Sequence, residues 1–251
     1  MSSQSTDSHL LHATVSREVL DAIVAPETVF DGSELLRVKP EGIEIHATDK
    51  ARAAIADVAV SSAAFDAYRA EPMETGIDLA KVSTFLDLVS WDAVIDITIT
   101  EAQTVVLSAD GFTYRFQLID PETVTRPFDE SDIEHVGEVT LSGHELSVPL
   151  NLAEIAGDQI AFSVDGETDV FSGWVDTERD SFHFEFGSND LLSFSAGNGS
   201  VTVALDYLVE IEGVIPRDVP LCVRVDEFTP VQLRYPVADG CGHVEFTLAY
   251  H

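Results

Sequence analysis

The sequence predicts an α+β protein of two similar domains, each a curved antiparallel sheet with two helices on one face. Three observations predict it. Most of the 251 residues alternate apolar and polar at a period of two, the mark of strands with one buried face. Four segments break that rhythm at helical spacing, two in each half. Between the halves lies IDPETVTRPFDESDIEH (119–135), acidic and carrying two prolines, too polar for a core strand and suited to a linker crossing the surface. Each half runs helix, strands, helix, strands, so a duplicated unit is the simplest account. The expected division is a frayed N-terminal extension (1–9), a first domain (10–118), a connector (119–135) and a second domain (136–251).

The first helix is expected over SREVLDAIVA (16–25), burying Val19, Leu20, Ile23 and Val24 behind Ser16 as N-cap. DLAKVSTFLDLVS (78–90) follows, with Leu79, Val82, Leu86 and Val89 on one stripe and Asp78 as cap. Strands come next at VIDITIT (94–100), TVVLS (104–108) and FTYRFQL (112–118). The third helix, SVPLNLAEIAG (147–157), should hold Pro149 in its first turn, because an interior proline clashes with the preceding turn. IAFSV (160–164) and SFHFEF (181–186) read as strands. LDYLVEIEGVI (205–215) is the fourth helix, with Leu205, Leu208 and Ile211 inward and Pro216 as stop, and HVEFTLA (243–249) is the last strand. Asp-Gly pairs at Asp31, Asp110, Asp165 and Asp239 are hairpin-turn signals, since glycine takes positive φ cheaply.

Acidic residues outnumber basic ones 45 to 13, a net charge of −32, and only Lys39, Lys50 and Lys81 are lysines. Hydrophobic content of 45% is nevertheless too high for a disordered acidic chain. Folded, acidic and lysine-poor describes a protein adapted to molar salt, where the Debye length falls to about 3 Å and self-repulsion is screened. Low salt should destabilise it. The charge also argues against an ordinary basic surface for nucleic acid, where Lys and Arg neutralise phosphates.

Cys222 and Cys241 make neither a disulfide framework nor a zinc site by spacing, and read as buried free thiols. The N-terminus lacks a charged and apolar leader, and no apolar run approaches the ~18 residues that span a bilayer, so a cytoplasmic protein without membrane contact is expected. The sequon at Asn198 then has no bearing. No phosphate-binding, dinucleotide, zinc-protease, nucleophile-elbow or EF-hand spacing occurs. His183 and Glu185 share a strand face but fall short of the three or four converging ligands of a metal site. With 45 carboxylates, acid pairs occur by chance and license no hydrolase. No enzyme, cofactor or metal is expected.

Several segments together carry a resemblance. They are GIEIHATDKARAAIADVAVSSAAFDAYRAE (42–71), QLID (117–120), LDYL and VIP within 205–216, the Pro-Val-x-Leu-x-Tyr run from Pro230, and the closing FTLA. In number, order and spacing they resemble the proliferating cell nuclear antigen (PCNA) family of sliding clamps, in a haloarchaeal or halovirus type, from about Leu10 to the end. The resemblance implies the DNA clamp fold and a homotrimeric ring lined by helices, acting as a DNA polymerase sliding clamp (processivity factor). Such a ring encircles duplex DNA without sequence preference and tethers DNA polymerase, clamp loader, ligase and flap nuclease through short peptide motifs. Its localisation would be the halophile cytoplasm, or the host cytoplasm if the gene is viral.

The same resemblance assigns sites. The subunit joint falls on Thr113, Tyr114, Arg115 and Phe116 of one edge strand and Phe182, His183, Phe184 and Glu185 of another; two solvent-facing edges of a monomer would carry the same pattern. The partner groove falls on Thr48, Arg52, Pro127, Phe128, Pro230, Leu248, Ala249 and Tyr250. Phe128 reads equally as an aromatic pinning the connector to its own domain. Asp129 and Glu130 follow it where the family has an aliphatic-Pro pair, and the tail stops at Tyr250-His251 where the family continues. The DNA-facing positions are Arg17, Lys81, Asn151 and Arg217, alongside Thr84, Asp87, Glu154, Asp206 and Gly213. Few of them are positive. Either the ring holds DNA by topology in molar salt, or the chain is a diverged clamp-fold interaction protein that binds clamp partners without encircling DNA.

Overall fold

The computed structural model describes residues 9–30, 32–126, 137–195 and 197–250. The first half contains β1 (His9–Ser16), α1 (Arg17–Val24), β2 (Glu34–Lys39), β3 (Gly42–Thr48), β4 (Ala54–Ser61), β5 (Ala67–Ala70), β6 (Met73–Ile77), α2 (Leu79–Leu86), β7 (Val94–Thr100), β8 (Thr104–Ala109) and β9 (Phe112–Gln117). The second contains β10 (Gly137–Ser142), α3 (Ser147–Ala156), β11 (Gln159–Asp165), β12 (Val170–Asp176), β13 (Ser181–Phe186), β14 (Ser193–Ser195), β15 (Asn198–Ala204), α4 (Leu205–Val214), β16 (Pro220–Val225), β17 (Val231–Val237) and β18 (Gly242–Leu248). β1 already begins at His9, the last residue of the expected extension.

The two halves have one element order: strand, helix, five strands, helix, three strands. Their pairing repeats as well. In the first half the neighbours run β5-β1-β7-β8-β9 and β4-β3-β2-β6; in the second they run β14-β10-β16-β17-β18 and β13-β12-β11-β15. Adding nine to each strand number of the first half gives the second. All resolved registers are antiparallel. By contacts the chain forms two compact units, Met1–Ala47 with Asp57–Arg126 and Val237–His243, and Thr48–Ala56 with Pro127–Pro236 and Val244–His251.

Within the first unit α1 packs on α2, burying Leu20, Ile23, Val24, Leu79, Val82, Phe85 and Leu86. Within the second α3 packs on α4 through Leu150, Ala153, Leu205, Leu208 and Ile211. Ser16 caps α1 as expected, accepting the Val19 N–H. Pro149 sits in the first turn of α3.

Three expectations are corrected. Asp78 does not cap α2; it pairs with Lys81 at 2.8 Å, while the buried Glu34 carboxylate on β2 accepts the Leu79 N–H at 3.1 Å. The helix also ends at Leu86. Leu88 and Val89 donate to carbonyls only three residues back, and the Ser90 N–H goes to the Asp110 carboxylate at 2.7 Å. Asp110-Gly111 makes a two-residue hairpin turn with φ of 51° and 81°, but the Asp165 hairpin is longer, and its left-handed residue is Asp169, φ 54°. Asp239 and Gly240 take positive φ between β17 and β18, and Asp31 lies outside the described residues. The third correction concerns the thiols: both are free but half-buried, and burial with Glu138 nearby pushes Cys222 up to about 11.

The start of the connector is held against the first unit. Ile119 and Gly76 exchange backbone bonds at 2.8 and 2.9 Å, Val124 is buried, and Arg126 reaches Glu74 at 2.7 Å. Gly76 is required by proximity: a Cβ there would lie 2.6 Å from Val124 Cγ2. No helix among the described residues is long and apolar enough to cross a membrane.

Candidate functional site

Two of the segments expected at the groove, the loop after β3 and the C-terminal tail, meet within the second unit. The loop after β3 is organised by Asp49. Its carboxylate accepts N–H bonds from Ala51 (2.8 Å), Ala53 (2.6 Å) and Ala54 (2.9 Å), and the Tyr207 hydroxyl of α4 donates to it at 3.0 Å. Thr48 Oγ1 donates to the Ala54 carbonyl at 3.0 Å, and Arg52 is exposed with φ 58°. The C-terminal tail is tied to this loop by the Ala249 N–H, which donates to the Ala53 carbonyl at 2.8 Å. Leu248 is buried, whereas Ala249 and Tyr250 are exposed. Pro230, half-buried, immediately precedes β17 and lies two residues after Phe228, which is 78% exposed at φ 59°. An exposed aromatic held in the left-handed region is rare and marks a position worth a function. Pro127 and Phe128 lie outside the described residues.

The two expected joint strands are both terminal strands of their sheets, β9 in the first unit and β13 in the second. On β9, Thr113, Tyr114 and Arg115 are exposed, and Tyr114 stacks on Phe85 of α2 with centroids 6.4 Å apart. Phe116 instead faces its own unit, buried beneath the Lys81 ammonium at 5.7 Å. On β13, Phe182 and Phe184 turn inward and His183 and Glu185 outward. Phe184 packs over Gly173 of β12, where a Cβ would come within 2.4 Å of the ring.

Sequence reasoning missed the apolar surface beside each edge. Helix α3, which packs against β13, exposes Val148, Leu152 and Ile155, the last at 80%. Their spacing of four and three puts them on one face. In the first unit Leu88, Phe112 and Tyr114 are exposed near the end of α2 and along β9. The signal existed: α3 carries more apolar residues than one buried stripe needs.

No protein-family model matches the chain. A DNA polymerase sliding clamp of Natronomonas pharaonis is 26% identical over 241 residues, spanning 96% of this chain and 98% of that one. Among solved structures, A. fulgidus PCNA with the C-terminal region of FEN-1 bound superposes with a TM-score of 0.89 at 20% identity, covering 96% and 98% of the two chains. A PCNA2–PCNA3 complex from Sulfolobus tokodaii gives 0.83 at 19% identity, covering 96% and 99%. Over nearly its whole length the chain is similar in sequence to DNA polymerase sliding clamps, and it has the fold of PCNA. The acidic composition fits the haloarchaeal relatives.

The clamp's helices show what became of the expected DNA-facing residues. Arg17 donates to the Val89 carbonyl at 2.7 Å and lies over the Trp91 ring at 5.0 Å, and Lys81 is paired with Asp78. The Asn151 amide turns back to the Ser147 carbonyl at 2.6 Å. Arg217 has an exposed side chain, while its carbonyl accepts from Ser142 and His144. Thr84, Asp87, Glu154, Asp206 and Gly213 are all exposed, and these five positions are acidic or neutral.

Proposed function

We propose that the clamp works as a closed homotrimer around duplex DNA, with residues 10–118 and 136–251 as its two domains per subunit and 119–135 as the connector. One observation carries the assembly. β4 and β13 hold equivalent places in the two halves, as do β9 and β18. β18 already lies beside β4: the Ser61 N–H donates to the Cys241 carbonyl at 2.8 Å and the Ala249 N–H to the Ala53 carbonyl at 2.8 Å. Their counterparts β9 and β13 have no such neighbour among the described residues. Pairing β9 of one copy with β13 of the next repeats a junction the chain already makes, and head-to-tail contacts of this kind close into rings. The exposed apolar residues beside both edges supply the burial that a stable joint needs. The Sulfolobus tokodaii structure, a complex of PCNA2 with PCNA3, supports association through this fold.

The groove at Thr48, Arg52, Pro127, Phe128, Pro230 and Leu248–Tyr250 takes short peptide motifs of polymerase, clamp loader, ligase and flap nuclease. The FEN-1 segment on A. fulgidus PCNA supports this reading. The protein is then a scaffold. It acts by confinement: a partner bound to a topologically held ring stays at high effective concentration near the strand. Loading requires a separate ATP-driven machine. Mass photometry in molar KCl should show a trimer, and the loaded protein should stay on nicked circular DNA until the circle is cut. A persistent monomer, or loss from intact circles at the rate seen from linear DNA, would reject the proposal.

A further inference from the structure

Two walls of the proposed groove, the loop at Asp49–Ala53 between β3 and β4 and the tail at Ala249–Tyr250 beyond β18, lie past the ends of their strands. Both depend on one carboxylate. Asp49 takes the N–H groups of Ala51, Ala53 and Ala54, which closes the loop and sets Arg52 at φ 58°. The Ala53 carbonyl, aimed by that closure, accepts the Ala249 N–H and so fixes the tail. The fourth bond, from Tyr207 in the first turn of α4, ties the carboxylate to a packed helix whose Leu205 and Leu208 are buried. Without it, Asp49 would be anchored only to the loop it organises.

We infer that the Tyr207–Asp49 hydrogen bond is the positioning element that fixes both walls of the partner groove, so that Tyr207, which the groove assignment leaves out, sets how tightly a peptide is held. This rests on the groove reading above. The electrostatics agree with the geometry. Partial burial alone would raise the Asp49 carboxyl, but the Ala54 and Ala51 N–H groups and the Tyr207 hydroxyl outweigh it and hold the group below the usual carboxylate range. Burial, then the Asp49 charge, pushes Tyr207 up to about 12, so it stays a donor at any working pH.

The test uses full-length protein in molar KCl and the FEN-1 C-terminal peptide as probe. Tyr207→Phe removes one hydroxyl and keeps the ring. It should weaken peptide binding about ten-fold, the worth of a hydrogen bond to a charged group. It should also speed hydrogen exchange at Ala53, Ala54 and Ala249, with β12 amides unchanged. Asp49→Asn, which also loses an acceptor for Ala51, should weaken binding further. Val201→Ala, a core truncation elsewhere in the same unit, should lower stability without weakening the peptide; that separates positioning from general loss of structure. Binding by Tyr207→Phe within about two-fold of the parent, or unchanged exchange at Ala249, overturns the inference. Failure of the unmodified protein to bind the peptide would instead remove the groove reading on which it rests.

Discussion

Glu34 gives the sharpest test of the energetics. It is 2% exposed on β2, its carboxylate accepts the first N–H of α2, and it faces Glu27 and Asp78. Burial, partly offset by the Leu79 N–H, raises it from 4.5 to about 7. An acid raised in the folded state stabilises the fold fully below its unfolded value, and that contribution is lost as pH climbs through the folded one. The window is therefore about 4.5 to 7, worth about 3 kcal/mol at most. Glu34→Gln keeps an oxygen for Leu79 and cannot ionise. Its stability should be nearly level where the parent's falls, and at pH 8 it should exceed the parent's by about 1–3 kcal/mol after allowing for a weaker neutral hydrogen bond. Urea denaturation at fixed protein concentration in molar KCl, from pH 5 to 8, measures it. Glu27, also raised by burial, adds a slope of the same sign to both proteins, so the comparison isolates Glu34. Parallel curves for parent and variant would refute the reasoning.

Other outcomes follow from the same coordinates. Ile155→Glu places a charge on a residue 80% exposed in the single chain, so it should dissociate the proposed trimer in mass photometry while the far-ultraviolet dichroism of the subunit is unchanged. Gly76→Ala drives a methyl to 2.6 Å from Val124; it should cost about 1–3 kcal/mol and speed hydrogen exchange at the Ile119 amide, which is bonded to the Gly76 carbonyl. Phe228→Asn exchanges a strained aromatic for a residue that tolerates positive φ and should stabilise the subunit by about 0.5–1 kcal/mol in the same urea assay. Moving from molar to ~0.1 M KCl lengthens the Debye length from about 3 to about 10 Å and should lower the melting temperature and dissociate the assembly. An oligomer unaffected by that dilution would contradict the charge argument.

The fold was legible because its signals are local and repeated. Period-two runs such as VIDITIT and SFHFEF appear as β7 and β13 with the bounds expected; α4 buries the three residues its spacing picks out, and α1 buries Leu20, Ile23 and Val24 but leaves Val19 half-buried. What failed was long-range. Asp78 has the right residue type for a cap, but Glu34, 44 positions earlier, takes the Leu79 N–H from a buried strand and Asp78 turns to Lys81. No window along the chain contains both. The last turn expected of α2 is lost for a similar reason, to Asp110 on the β8–β9 hairpin. The groove was only partly legible. Tyr207 reads as a helix residue like any other, and its role appears once folding brings it to Asp49. The exposed face of α3 was hidden by its own apolarity, since a sequence does not say which of two apolar stripes meets the core.

The acidic helix faces need not count against DNA in the hole of the proposed ring. Binding through phosphate neutralisation falls steeply with the logarithm of salt, in proportion to the phosphates contacted. A protein whose net charge of −32 already commits it to molar salt would gain little there from lysines on those helices. Topological confinement does not draw on that term: a closed ring needs stable joints, and in this chain the apolar surface lies beside the joint strands while the cations nearest the helices, Arg17 and Lys81, are spent on Val89, Trp91 and Asp78. The division of labour is physical. In the proposed ring, hydrophobic burial, which salt strengthens, would hold the joints, and charge attraction, which salt weakens, would be left out where DNA need only pass.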